Sequence, residues 1–260
     1  MNLPENAFKR ALRGGSTPCG VWLMSGAPST AEALGCVGFD FVVIDMEHVP
    51  LDSPQLIEML RAVAGTPAAA ITRLPWNDNV MIKRALDAGA QTLMVPFVQT
   101  AEDAQRAVAA TRYPPEGVRG LAAMHRASRY TNVQGYAQTA ADELCVVVQV
   151  ETPTALANLE SIANVPGVDS IFVGPGDLAA SMGYYGNIAE EKVLAELERA
   201  AAACRHMGKA CGIVGGNPAL VKRFLEFGYT WVAVGSDMGF MVTRGREWLG
   251  EVRNALPRAS

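Results

Sequence analysis

The chain has 260 residues, a formal net charge of −4 and 18% charged residues, below the roughly 25% of an average chain, so a large buried core is expected. A mildly acidic chain with scattered lysines and arginines lacks the electrostatic footprint of a nucleic-acid-binding protein. The length exceeds that of a typical domain but suits a one-domain α/β barrel of roughly 250 residues.

The N-terminal stretch MNLPENAFKRALRGG mixes charges with few apolar residues and has no hydrophobic segment of the kind that directs secretion. No apolar run approaches the roughly 18 residues of a membrane span, so no membrane association is expected. Cys19, Cys36, Cys145, Cys204 and Cys211 are dispersed without any CxxC pair, which suits a reducing cytoplasm better than a disulfide scaffold.

Strands are predicted at 20–25 (GVWLMS), 39–45 (FDFVVID), 68–74 (AAAITRL) and 92–98 (TLMVPFV). Four more follow at 145–151 (CVVVQVE), 170–174 (SIFVG), 210–215 (ACGIVG) and 230–236 (TWVAVGS). Most are apolar almost throughout, which is how a parallel strand buried on both faces reads. Helical spacing fills the intervals, as in Ala101–Ala110, Thr154–Ala163, Ala189–Met207 and Pro218–Phe227. Glycine or proline punctuates most changes. This alternation predicts a single (β/α)8 TIM barrel over residues 1–260, with a doubly wound open sheet as the competitor. No GxGxxG follows the first strand, which removes the usual dinucleotide reason for an open sheet. The longest irregular stretch, Tyr113 to Asn132, comes after the fourth strand and exceeds the roughly 12 to 15 residues beyond which a loop is usually functional or disordered.

A barrel builds its active site where the strands end. The second strand runs into Asp45, Met46, Glu47 and His48, and the third into Thr72 and Arg73. The fifth finishes with Gln149, Val150 and Glu151, and the sixth at the Gly-Pro-Gly before Asp177. Each residue also has a plain structural reading. Asp177 suits a helix N-cap, and Glu151 a first-turn residue favoured by the helix dipole. Gln149 could satisfy backbone groups, Asp45 and His48 could pair, and Arg73 could be a counter-ion. Their convergence on one rim favours a site. Oxygen ligands without Cys suit a hard cation such as Mg²⁺ or Mn²⁺, with Co²⁺ or Zn²⁺ admissible, and a 2-oxo acid can chelate it. No lysine stands at the C-terminal end of a strand, where a Schiff-base aldolase needs one.

With those residues in place, the sequence resembles the metal-dependent class II pyruvate aldolases of the HpcH/HpaI family, which act on 4-hydroxy-2-oxoheptanedioate or 2-keto-3-deoxy sugar acids. The resemblance rests on GVWLMSGAPSTAEALGCVGFDFVVIDMEHVP, LDAGAQTLMVPFVQ, YPPEGVRG, VVVQVETPTAL and GVDSIFVGPGDLAASMG, which span nearly the whole chain. It implies that Glu151 and Asp177 hold the metal, and that Arg73 contacts the pyruvate oxygens. Gln149 lies near metal and substrate, Trp22 is among the substrate-binding residues, and backbone N–H groups around Gly176 and Asp177 hold the pyruvate carboxylate. His48, poised by Asp45, accepts and returns the proton. Asp87 matches an acidic residue that reaches a neighbouring subunit's site, in an assembly that is typically hexameric. The expected reaction is reversible cleavage of a 4-hydroxy-2-oxo acid to pyruvate and an aldehyde. His125, Arg119, Arg126 and Arg129 in the long loop either receive a carboxylated aldehyde or anchor the loop or an interface. HRAS is similar to the sugar-acid branch and ASRY to the heptanedioate branch. A CoA-thioester lyase of the citrate-lyase β-subunit type is one alternative, and a non-catalytic 2-oxo-acid-binding module is another.

Overall fold

The computed structural model describes residues 1–256. Its strands are β1 (Cys19–Leu23), β2 (Phe41–Asp45), β3 (Ala69–Arg73), β4 (Thr92–Val95), β5 (Cys145–Val150), β6 (Ser170–Val173), β7 (Ala210–Val214) and β8 (Trp231–Ser236). All neighbours are parallel, and β8 pairs with β1, so the sheet is a closed barrel and the open-sheet alternative falls.

Closure follows from strands that are apolar on both faces. Phe41, Val43, Ile71, Met94, Cys145, Val147, Phe172 and Trp231 point inward and form the barrel's own core. Val42, Ile44, Val146, Val148, Ile171, Ile213 and Val232 point outward into the layer shared with the helices. Two glycines make room for the largest interior rings. A methyl at Gly212 would stand 2.0 Å from Trp231, and one at Gly20 would stand 2.4 Å from Phe41.

The first helix, α1 (Ala7–Arg13), closes the end where the strands begin. Asn6 caps it by accepting from the Lys9 N–H at 3.0 Å. Phe8 then meets Phe41 and Trp231 edge to face, with centroids 5.3 and 5.2 Å apart. Lys9 is buried beside them, and its ammonium donates to the carbonyls of Asp142 (3.0 Å) and Leu144 (2.5 Å). One end of the barrel is thus plugged, leaving the strand C-termini as the open end.

The next helices are α2 (Pro28–Gly35), α3 (Ser53–Val63), α4 (Asn79–Asp87), α5 (Ala101–Thr111) and the short α6 (Tyr136–Thr139). The helix expected over 154–163 is two, α7 (Pro153–Ala157) and α8 (Leu159–Ala163). They break at Asn158, whose side-chain amide donates to the Gln99 carbonyl at 2.9 Å. Then follow α9 (Pro175–Ser181), α10 (Glu191–His206), α11 (Pro218–Phe227) and α12 (Asp237–Ala255). Beyond Asp237 every residue of α12 is exposed. No helix among the described residues is long and apolar enough to cross a membrane.

The irregular stretch 113–132 lies after α5, so it belongs to the plugged end. There the Ala127 N–H donates to the Asp87 carbonyl (3.2 Å) and Arg126 Nη1 to the Ala88 carbonyl (2.8 Å), at the turn from α4 into β4.

Candidate active site

The inward alternation that builds the core also delivers the site, because it continues past the apolar residues. In β2 it runs Phe41, Val43, Asp45, and in β3 Ala69, Ile71, Arg73. The register sets Asp45 opposite Arg73. Arg73 donates from Nε to Asp45 Oδ1 (2.9 Å) and from Nη2 to Oδ2 (2.6 Å), a two-pronged pair with Asp45 fully buried. The guanidinium carbon lies 5.1 Å from the centre of the Trp22 ring, so Trp22 floors the arginine.

Asp45 Oδ1 also accepts the backbone N–H groups of Glu47 (2.9 Å) and His48 (3.3 Å), fixing the turn after β2. Its carboxylate is therefore spent on Arg73 and the backbone, and the expected Asp45–His48 side-chain pair is not formed. The His48 side chain is 58% exposed, and its Nε2 sits 4.0 Å from Glu47 Oε2.

Glu47 is the residue that sequence reasoning passed over. Its Oε2 lies 2.8 Å from Arg73 Nη1, an ion pair without hydrogen-bond alignment. Burial pushes its pKa up; Arg73 opposes the rise, while Asp45 and Asp177 add to it. The signal was available: two positions beyond Asp45 keeps the inward phase.

In β5 the same phase gives Cys145, Val147, Gln149 and then Glu151, both polar residues nearly fully buried. Glu151 Oε1 accepts the Phe97 N–H at 2.8 Å, and Oε2 accepts from Gln149 Nε2. Burial pushes the Glu151 carboxyl up to about 7; the Gln149 amide and Phe97 N–H oppose the rise, and the charges of Asp177 and Glu47 add to it. Gln149 Oε1 is buried without a partner. Gly174 completes this corner, since a methyl there would stand 2.5 Å from Glu151 Oε2. Gly176 is exposed with no protein atom crowding it, and the position in this segment that is tight against Glu151 is Gly174.

Asp177 is not a helix cap. The N-cap position of α9 is Gly174; Asp177 stands in the first turn, exposed, and its side chain makes no hydrogen bond among the described residues. It is a free carboxylate within electrostatic reach of Glu151 and Glu47. Among the described residues no three His, Cys, Asp or Glu side chains form a ready metal cage. Glu151 and Asp177 nevertheless fit a hard cation that keeps positions for water and substrate, and the crowding of carboxylates around Glu151 is what such a cation relieves.

Asp87 is elsewhere. It ends α4 at the plugged face, where its Oδ1 accepts from Arg119 Nη2 (2.8 Å) and lies 3.8 Å from His125 Nε2. Arg119 is buried, with its guanidinium 4.5 Å from the Tyr113 ring centre. Arg119 and Arg126 thus anchor the long loop, and that loop does not receive an aldehyde for the open end of its own barrel.

The profile of the HpcH/HpaI aldolase/citrate lyase family matches residues 19–243. A 2-dehydro-3,6-dideoxy-6-sulfogluconate aldolase of Pseudomonas putida is 51% identical over 238 residues, 92% of this chain and 93% of that one. A 4-hydroxy-2-oxo-heptane-1,7-dioate aldolase of Salmonella dublin is 47% identical over 94% of this chain and 93% of its own length. The crystal structure of a protein of the same family from Burkholderia cenocepacia J2315 superposes with a TM-score of 0.92 at 42% identity, covering 95% of this chain and 99% of that one. With its strand-end carboxylates and arginine in one closed barrel, the chain belongs to the HpcH/HpaI aldolase/citrate lyase family and is an aldolase, a carbon–carbon lyase.

Proposed function

We propose that this aldolase is of class II, cleaving 4-hydroxy-2-oxo acids reversibly to pyruvate and an aldehyde. The observation that carries the reading is that Glu151 and Asp177 lie within charge–charge reach of each other and of Glu47, which with Asp45 clamps Arg73. Glu151 and Asp177 would hold a divalent cation, Mg²⁺ or Mn²⁺, which when bound supplies Lewis-acid polarisation of a ketone oxygen.

The protein's own residues supply the rest. Arg73 donates two of its five N–H groups to Asp45 and holds Nη1 near Glu47 by charge alone, leaving Nη1 and Nη2 both able to donate. Those two donors stabilise the negative charge that develops on the pyruvate oxygens as the bond to the aldehyde breaks. Trp22 and Asp45 keep the guanidinium from turning away. His48 takes the proton in cleavage and returns it to C3 of pyruvate, with Glu47 as the carboxylate nearest its imidazole. Gln149 orients Glu151, and the backbone at Gly176 and Asp177 receives the pyruvate carboxylate. Asp87, remote from this site, serves a neighbouring protomer in a homohexamer of the cytoplasm. The exposed Phe240, Met241, Trp248, Leu249 and Val252 of α12 support self-association.

The test is exchange of pyruvate C3 protons with D2O, followed by condensation with a panel of aldehydes. Chelation is expected to stop both, and Mg²⁺ or Mn²⁺ to restore them. Full turnover in chelator sinks the class II reading, and exchange at the wild-type rate in His48→Ala removes His48 from proton transfer.

A further inference from the structure

Two aromatic rings at the open end have no part in the chemistry above. Trp76 lies in the loop after β3 and Phe97 in the loop after β4, and their rings stack with centroids 5.5 Å apart and planes at 25°. Trp76 is 54% exposed and Phe97 41%, although the flanking Pro96 and Val98 are buried.

Phe97 holds this position at a conformational cost. Its φ is 54°, the left-handed region, which a bulky non-glycine residue rarely enters. Such strain persists where surrounding contacts enforce it, and it clusters at functional sites. Here the contacts are legible. The Phe97 N–H points inward to Glu151 Oε1, and the next N–H, from Val98, donates to the Gln149 carbonyl at 3.0 Å. The backbone therefore turns its donor toward the buried carboxylate and its ring toward the mouth. The Trp76 loop is held as well: the Asn77 amide donates to the Asp103 carbonyl at 2.9 Å, and the Asp78 N–H to the Trp76 carbonyl at 3.0 Å. The stacked pair consequently bridges the two halves of the site, three residues beyond Arg73 on one side and bonded to Glu151 on the other.

We propose that the Trp76–Phe97 stack is a specificity ledge for the acceptor aldehyde, taking the C–H face of the chain that extends beyond the carbonyl carbon. The pair lies at the mouth, so it meets the part of the substrate that does not react. Two fixed aromatic faces select hydrocarbon or polyol C–H surface over a short, fully hydrated aldehyde. The ledge rests on the aldolase reading and adds the class of group that decides which aldehyde is taken.

The experiment measures kcat/KM for condensation of pyruvate with acetaldehyde, propanal, butanal and pentanal, in the wild-type protein, Trp76→Ala and Trp76→Phe. Wild-type kcat/KM is expected to rise with each added methylene, up to about fourfold for full burial. Trp76→Ala flattens that slope, and Trp76→Phe keeps most of it. A slope equal to wild type in Trp76→Ala overturns the ledge, as does a slope lost together with a change in assembly mass, which makes the pair a subunit contact. Pyruvate proton exchange by the wild-type protein separates the two readings: its absence refutes the aldolase mechanism, whereas exchange with a flat wild-type slope refutes only the ledge. Because Trp76 is exposed and outside the core, its replacement leaves the barrel folded.

Discussion

At Glu151 a buried carboxylate faces other carboxylates, and its proton affinity becomes a stability term. Its pKa rises from 4.5 to about 7 on folding, so the folded chain binds this proton more tightly than the unfolded one. The contribution is present in full below about pH 4.5 and is lost as pH climbs through about 7. With chelator present, wild-type unfolding free energy should therefore fall between pH 5 and 8 by an amount on the order of 3 kcal/mol from this group. Glu151→Gln should lack that fall, which denaturant titrations across the range will show. Gly174 makes a second expectation: Gly174→Ala places a methyl 2.5 Å from Glu151 Oε2 and should lower kcat/KM about a hundredfold with circular dichroism unchanged. Much of this corner was legible in the sequence, because Gln149 and Glu151 continue the two-residue alternation of an unambiguous strand. Glu47 obeys the same rule but sits where the strand has become a turn, beside a histidine whose chemistry is more conspicuous. The partner of Asp45 was not legible, since the choice between His48 and Arg73 depends on strand register.

Elements tell a similar story with different causes. The strands were readable from composition alone, as runs too short for helices and too apolar for loops. The location of the 113–132 loop was legible too, because helical spacing at Ala101–Ala110 already separates it from the fourth strand; counting the loop from that strand alone hides which end of the barrel it occupies. Once α5 is placed before it, the loop must lie with α1 and the strand N-termini. Helix α1 is not legible in the sequence because seven residues with one aromatic are a weak pattern, yet Phe8 is buried against Phe41 and Trp231. Phe8→Ala should cost about 3–5 kcal/mol, measured by urea unfolding, with little change in kcat because the plug is remote from the open end.

For the whole molecule, closure of the barrel was an inference from counting strands, and the β8–β1 pairing makes it a fact. The expectation of assembly rests on family likeness alone. Helix α12 supplies a physical handle: replacing Trp248 and Leu249 by glutamate should lower the mass found by light scattering, and an unchanged mass would show that this face plays no part.

The clamp on Arg73 has a consequence for the order of events at the mouth. An arginine held by Asp45 and Glu47 is no longer a free positive charge, and Glu151 and Asp177 outnumber whatever it retains. A rim so charged repels an incoming anion unless a cation accompanies it, because steering of the kind charged clefts exert works against it. On the class II reading, occupancy would be sequential, with the cation admitted first and the 2-oxo acid drawn in only afterwards. In initial-rate kinetics this appears as pyruvate affinity that collapses, rather than merely weakens, as free cation is withdrawn.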